Sequence, residues 1–234
     1  VTGDLKWKYS PRVDPSSQGV ACCDVVNRGE VYDNGKIFYN TLDNHTVAVD
    51  AKTGKEVWAV KLGDISKGQT LTMAPLAAKG KIFVGNSGGE MGIHGWVTAL
   101  DENTGKIVWR AYSVGPDKDV LIGPRFKPYY ASAKGKDLGM TTWPNGRWQQ
   151  GGGPVWGWIS YDPQRNLIYY GTGNPGPWNS NQRQGDNKWT ATIFARDADT
   201  GEAVWADQIN PHDMYDYDEI NENLLLDLPI NGKM

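Results

Sequence analysis

The sequence predicts an all-β fold of stacked four-stranded modules, and three observations carry that prediction. The first is a repeat, in which a Thr-Gly pair is followed by Trp four residues after the glycine. It occurs at Thr2-Gly3 with Trp7, Thr53-Gly54 with Trp58, Thr104-Gly105 with Trp109, and Thr200-Gly201 with Trp205. The glycines stand 51, 51 and 96 residues apart, the last gap being about two periods. The second observation is composition. Twenty-nine Gly and 11 Trp, with few Leu-rich helical stripes, favour short strands joined by glycine turns. The third is a strand-like run ahead of each complete repeat. A period near 50 built of four strands is that of a β-propeller blade. A sandwich with coincidental spacing is the competing fold, and three matches to Asp-x-x-Thr-Gly-x-x-x-Trp weigh against it.

Taken in order, Val47–Trp58, Val97–Trp109 and Ile193–Trp205 each read as an alternating strand, an Asp-x-x-Thr-Gly turn and a second strand ending in Trp. The runs ahead of them are Gly35–Tyr39, Gly80–Val84 and Asn166–Tyr170. Such units bury their faces only by stacking, so the repeated Trp is expected as an indole wedged between adjacent blades. From Gly115 to Gly153 the pattern lapses. Pro116, Pro124, Pro128 and Pro144 mark an irregular excursion, about 115–150, rather than a linker between domains.

Charge is nearly balanced, 24 Lys and Arg against 27 Asp and Glu, with no basic run, so nucleic acid has no electrostatic support as a partner. No apolar stretch approaches the roughly 18 residues of a membrane helix. The chain is expected to be one incomplete domain, residues 1–234, from within a longer protein.

The densest chemistry lies in Pro211–Asn221, where Asp213, Asp216, Asp218 and Glu219 fall within seven residues. Asp216 and Asp218 stand two apart, so in an extended segment both point to one face, where like charges repel unless a cation lies between them. A hard metal ion with oxygen ligands is one reading, and a solvated acidic turn is the other. Cys22 and Cys23 are the only cysteines. Adjacent in sequence, they read either as two buried thiols or as a tight vicinal disulfide. With only three scattered His, zinc is not expected, and His212 reads as structural.

The Trp-bearing repeat resembles the tryptophan-docking motif of the quinoprotein alcohol dehydrogenases. These are eight-bladed propellers that hold pyrroloquinoline quinone (PQQ) and a metal, and this chain would be about three to four blades. Ala21–Gly29, Gly88–Gly92, Gly151–Trp158 with Gly171–Pro175, and the acidic stretch narrow the resemblance to the methanol dehydrogenase large subunits, over essentially the whole chain. The resemblance implies a disulfide between Cys22 and Cys23 lying against the quinone ring, hence an oxidising compartment, the periplasm. It also implies Arg28 on a PQQ carboxylate, hydrogen bonds from Thr72 and Ser87, close backbone approach at Gly88 and Gly89, and Trp156 as the stacking floor. Pro154 stands where the family often has Thr, which puts one cofactor hydrogen bond in doubt. Glu90, Asn174, Asp216 and Asp218 match metal ligands, and Asp216 the catalytic base.

Calcium-type members carry Ala two residues after that base. Asp218 therefore marks the lanthanide-dependent (XoxF-type) branch, with calcium the alternative, and one more carboxylate suits a trivalent ion. The implied reaction is oxidation of methanol or another primary alcohol to an aldehyde, with hydride passing to metal-activated PQQ and electrons to a c-type cytochrome. The complete protein is expected to be a homodimer. A non-enzymatic propeller scaffold can carry a similar Trp repeat, but it has no use for Cys22, Cys23, Glu90, Asn174 and Asp216 together.

Overall fold

A computed structural model describes residues 2–233 and contains three four-stranded antiparallel sheets. The first is β1 (Glu30–Asp33), β2 (Lys36–Asn40), β3 (His45–Asp50) and β4 (Glu56–Lys61). The second is β5 (Leu76–Ala78), β6 (Lys81–Gly85), β7 (Trp96–Asp101) and β8 (Ile107–Tyr112). The third is β9 (Ile159–Asp162), β10 (Leu167–Gly171), β11 (Thr192–Asp197) and β12 (Ala203–Gln208). In each sheet the strands pair in chain order. The first strands approach one another, β1 to β5 and β5 to β9, so the sheets fan out from that edge as propeller blades do.

The repeat motif explains itself residue by residue. The Asp50 carboxylate accepts from the backbone N–H groups of Lys52 and Thr53, at 3.1 and 2.8 Å, and from the Thr53 hydroxyl at 2.8 Å. Asp101 and Asp197 do the same for Thr104 and Thr200. The following glycine serves twice. At Gly105 φ is +69°, a left-handed conformation that costs other residues about 1–2 kcal/mol, and a Cβ there would meet the Trp58 ring at 2.8 Å. Each Trp thus lies on the glycine of the next unit: Trp7 on Gly54, Trp58 on Gly105, Trp109 on Gly201. The indole N–H groups donate across the same seams, to Ala51 O, Glu102 O and Ala198 O at 3.0, 3.0 and 3.2 Å. The expected inter-blade wedge is there at both seams between the three sheets, and Trp7 sits in the same way on the outer side of the first.

Two expectations need adjustment. The third strand of each sheet does not alternate between core and solvent. In β3 the run Thr46–Val49 is buried throughout, because a sheet stacked on both faces has no wet side. The second strands show how one element serves two cores: Ile82 and Val84 of β6 pack toward the first sheet, and Phe83 between them packs toward the third. The 96-residue gap holds one sheet rather than two periods. Its extra length is the excursion, with two single-turn helices, α1 (Asp117–Val120) and α2 (Leu138–Thr141), among irregular turns. The excursion is packed down rather than free. Val120 and Ala133 join the core, Trp143 donates to Lys188 O at 2.6 Å, and Phe126 meets Trp189 edge-on. No helix among the described residues is long and apolar enough to cross a membrane.

Candidate active site

Antiparallel order decides which loops meet. In a four-stranded sheet read in sequence, the chain entering strand one, the link between strands two and three, and the exit from strand four share one end. The Asp-x-x-Thr-Gly turns, between strands three and four, take the other. Cys22, Cys23 and Arg28 precede β1, and Thr70 and Thr72 precede β5. Ser87, Gly88 and Glu90 follow β6, Trp156 precedes β9, Asn174 follows β10, and Asp216 and Asp218 follow β12. All lie at the end opposite the repeat turns, next to the strands that approach one another.

There, Cys22, Cys23, Arg28, Thr72, Ser87, Gly88, Glu90, Trp156, Asp216 and Asp218 line one recess of about 200 Å³. Cys22 and Cys23 are joined as a disulfide. Thr72 Oγ1 and Ser87 Oγ lie 2.6 Å apart, on segments bridged by the Ser87 N–H to Thr70 O hydrogen bond at 2.9 Å. The Arg28 guanidinium donates to Thr72 O at 3.2 Å and rests 4.6 Å from the Trp156 ring centroid. The cation is drawn to the face of the indole, so a planar ligand stacking there requires Arg28 to yield.

Two of the expected residues stand behind the wall rather than in it. Gly89 is buried against Asn174 Oδ1 and the Pro154 ring, where a Cβ would meet them at 2.7 and 2.9 Å, so its missing side chain serves packing and not approach to a ligand. Asn174 is 3% exposed. Its amide nitrogen donates to Pro175 O at 3.1 Å while its oxygen faces Gly89, and its backbone N–H donates to Asp218 Oδ1 at 2.7 Å. Asn174 is therefore tied directly to the acidic pair. Pro154 packs on both Gly89 and Gly173. The His212 imidazole reaches Gly185 O at 2.9 Å, which fits a structural part.

Burial, reinforced by the negative charges of Asp216, Glu90 and Asp213, pushes the Asp218 carboxyl up to about 7 despite the N–H it accepts from Asn174. Burial and Glu90 also raise Asp216. Among the described residues no three Asp, Glu, His or Cys side chains close to metal-ligand spacing. Like charges hold apart in a half-dry recess until a cation lies between them. The donors are all oxygens and the recess disfavours the bare charge of Asp216 and Asp218, so the residues fit a hard cation with several oxygen ligands.

One contributor had gone unread. Thr70 lines the recess, is 1% exposed, and its Oγ1 has no hydrogen-bond partner among the described residues. A buried hydroxyl is rarely left so, and this one is closed off from the recess as it stands. The signal was the Thr70-Leu71-Thr72 spacing, which in extended chain puts both hydroxyls on one face.

The acidic pair allows a test without turnover. A carboxyl whose pKa is raised on folding leaves stability untouched below its unfolded value near 4, and lowers it progressively as pH rises through 7. In cation-free protein, Asp218→Ala is expected to raise the thermal midpoint at pH 8 and leave it unchanged at pH 4. A midpoint at pH 8 that does not rise removes the electrostatic account.

Comparison with known proteins decides the family. The family model described as the β-propeller domain of glucose, ethanol and alcohol dehydrogenases (PQQ) matches residues 1–234. The chain belongs to that PQQ dehydrogenase propeller family. Among its relatives is the lanthanide-dependent methanol dehydrogenase of Methylacidiphilum fumariolicum (strain SolV), 54% identical over 230 residues, 98% of this chain and 38% of that protein. Methanol dehydrogenase [cytochrome c] subunit 1 of Methylobacterium organophilum is 51% identical over 94% of this chain and 36% of its own length. The solved structure of a europium-containing methanol dehydrogenase superposes with a TM-score of 0.96 at 54% identity, covering 98% of this chain and 40% of that one. The chain thus spans well under half the length of the PQQ dehydrogenases it matches.

Proposed function

We propose that the complete protein carrying this propeller segment oxidises methanol or another primary alcohol to the aldehyde, with PQQ and a lanthanide ion as cofactors and a c-type cytochrome as electron acceptor. The observation that carries the reading is that Glu90, Asp216 and Asp218 line the same recess as the Cys22–Cys23 disulfide, Arg28 and Trp156. The relatives at 51–54% identity, a lanthanide-dependent and a cytochrome c-linked methanol dehydrogenase, support the same reading. The vicinal disulfide supports an oxidising compartment, which for this reading is the periplasm.

When bound, PQQ supplies the hydride-accepting carbonyl and the cation the Lewis acid that polarises it. The chain supplies the rest. Glu90, Asp216 and Asp218 would hold the cation from the recess wall, and the Asn174 amide oxygen would join them by turning from its place against Gly89. Arg28 would pair with a carboxylate of the quinone, and the hydroxyls of Thr72 and Ser87 would accept from or donate to it. The disulfide and the Trp156 indole would bound the ring and keep water from it. Asp216 takes the alcohol's hydroxyl proton, a task its raised pKa suits better than an ordinary aspartate's would.

The reading is tested by supplying the complete, metal-free protein with PQQ and either lanthanum or calcium. Lanthanum is expected to give the greater turnover, and Asp218→Ala to abolish that preference. Lanthanum activity that survives Asp218→Ala unchanged sinks the lanthanide assignment, and no alcohol oxidation with either ion sinks the enzyme.

A further inference from the structure

We propose that Asp213 and Arg183, neither of which lines the recess, are positioning residues that hold the Asp216–Asp218 loop in its cation-binding shape. The inference rests on the cation-site reading above. Asp213 is 1% exposed and acts as a hub. Its Oδ1 accepts the Tyr215 N–H and the Asn210 amide, each at 2.9 Å, and its Oδ2 accepts the Tyr217 N–H at 2.7 Å. One carboxylate therefore grips the backbone on both sides of Asp216. That residue has φ +66°, a left-handed conformation that side chains disfavour, an aspartate less than most.

Arg183 fixes the hub in turn. At 2% exposure it donates from Nη2 to Asp213 O at 2.5 Å and to Trp178 O at 3.2 Å. Its Nε donates to Pro177 O at 2.6 Å, and its Nη1 to Asn187 Oδ1 at 3.0 Å. The guanidinium thereby ties the loop after β12 to the one after β10, the loop that bears Asn174. On the far side the Asn174 N–H holds Asp218, and the Glu219 N–H reaches Thr172 O at 3.2 Å. Asp216 is set from both ends, and only the Arg183–Asp213 end does so with buried charge. Buried charged groups of this kind, a guanidinium on carbonyl oxygens and a carboxylate on amides, are weak evidence for stability, since apolar packing of similar volume often serves as well. Conformational specificity for the loop is the role that uses all of these bonds at once.

The test uses the complete protein without metal and europium(III) as a luminescent probe. Arg183→Gln separates position from charge by sign. Removing a positive charge near the site would tighten binding of a cation through space, whereas loss of position weakens it. The expected result is europium affinity about 10–100-fold weaker, the usual consequence of removing a group that orients ligands. Affinity unchanged or increased overturns the proposal.

Should Arg183→Gln fail to fold, Asp213→Asn keeps the volume and one acceptor. Luminescence lifetimes in light and heavy water then count the water molecules on the bound ion. One additional water is expected, filling the place of a misplaced carboxylate, and a count equal to wild type overturns the proposal. Wild-type protein that binds no europium overturns the cation-site reading together with the clamp. Wild type that binds while Arg183→Gln is unaltered overturns the clamp alone.

Discussion

Asp216→Asn in the complete, cofactor-loaded protein is expected to lower turnover by about 10²–10⁴-fold, the range a positioned general base contributes. The substitution keeps size and an oxygen donor, so the ion should remain bound; an amide oxygen already serves in the proposed ligand set at Asn174. What the amide lacks is the ability to take a proton. Raised by partial desolvation and by the charges of Glu90 and Asp213, the Asp216 carboxyl is a stronger base than an ordinary aspartate, and it lines the recess. Loss should therefore fall on kcat, with KM and metal content close to wild type. Turnover within tenfold of wild type, at equal metal and PQQ content, would remove Asp216 as the base. Lost activity accompanied by lost metal would make it a ligand only.

The second large effect is structural. Trp109→Ala is expected to destabilise the protein by about 3–5 kcal/mol, the range for truncating a buried Trp. Trp109 is 8% exposed at the seam between the second and third sheets. Its ring lies on Gly201 and 5.9 Å from the Phe83 ring, and its N–H is spent on Ala198 O. Removing it empties the seam and leaves a buried carbonyl unpaired. Trp109→Phe keeps most of the apolar area and loses the N–H, so about 1 kcal/mol should go with the hydrogen bond. Denaturant midpoints of the complete protein measure both. An alanine variant less than about 1 kcal/mol below wild type would mean that the docking Trp does not hold the blades together.

How far the sequence reaches differs between scaffold and site. The hairpins were readable because everything that defines them lies within nine residues: Asp101 caps Thr104, Gly105 turns, and Trp109 follows on the next strand. The two-sided burial of β3 was not readable, since it depends on neighbours that contact order alone supplies. The fit of Gly89 against Asn174 Oδ1 and Pro154 was equally out of reach, because 85 and 65 residues separate it from these partners and only the fold brings them together. Thr70 could have been found from its spacing to Thr72, and was not.

Amino-acid order alone determined the blade repeat, its turn chemistry and the kinds of side chain on offer: oxygen donors, adjacent thiols, an arginine and a tryptophan in separate short motifs. These depend on local backbone preference and on residue type. Tertiary structure alone decided that those motifs share one recess, that burial pushes the Asp218 carboxyl up to about 7, and that Asp213 and Arg183 grip the loop between them. Burial and the field of distant charges are properties of the assembled sheets, and no stretch of chain carries them by itself.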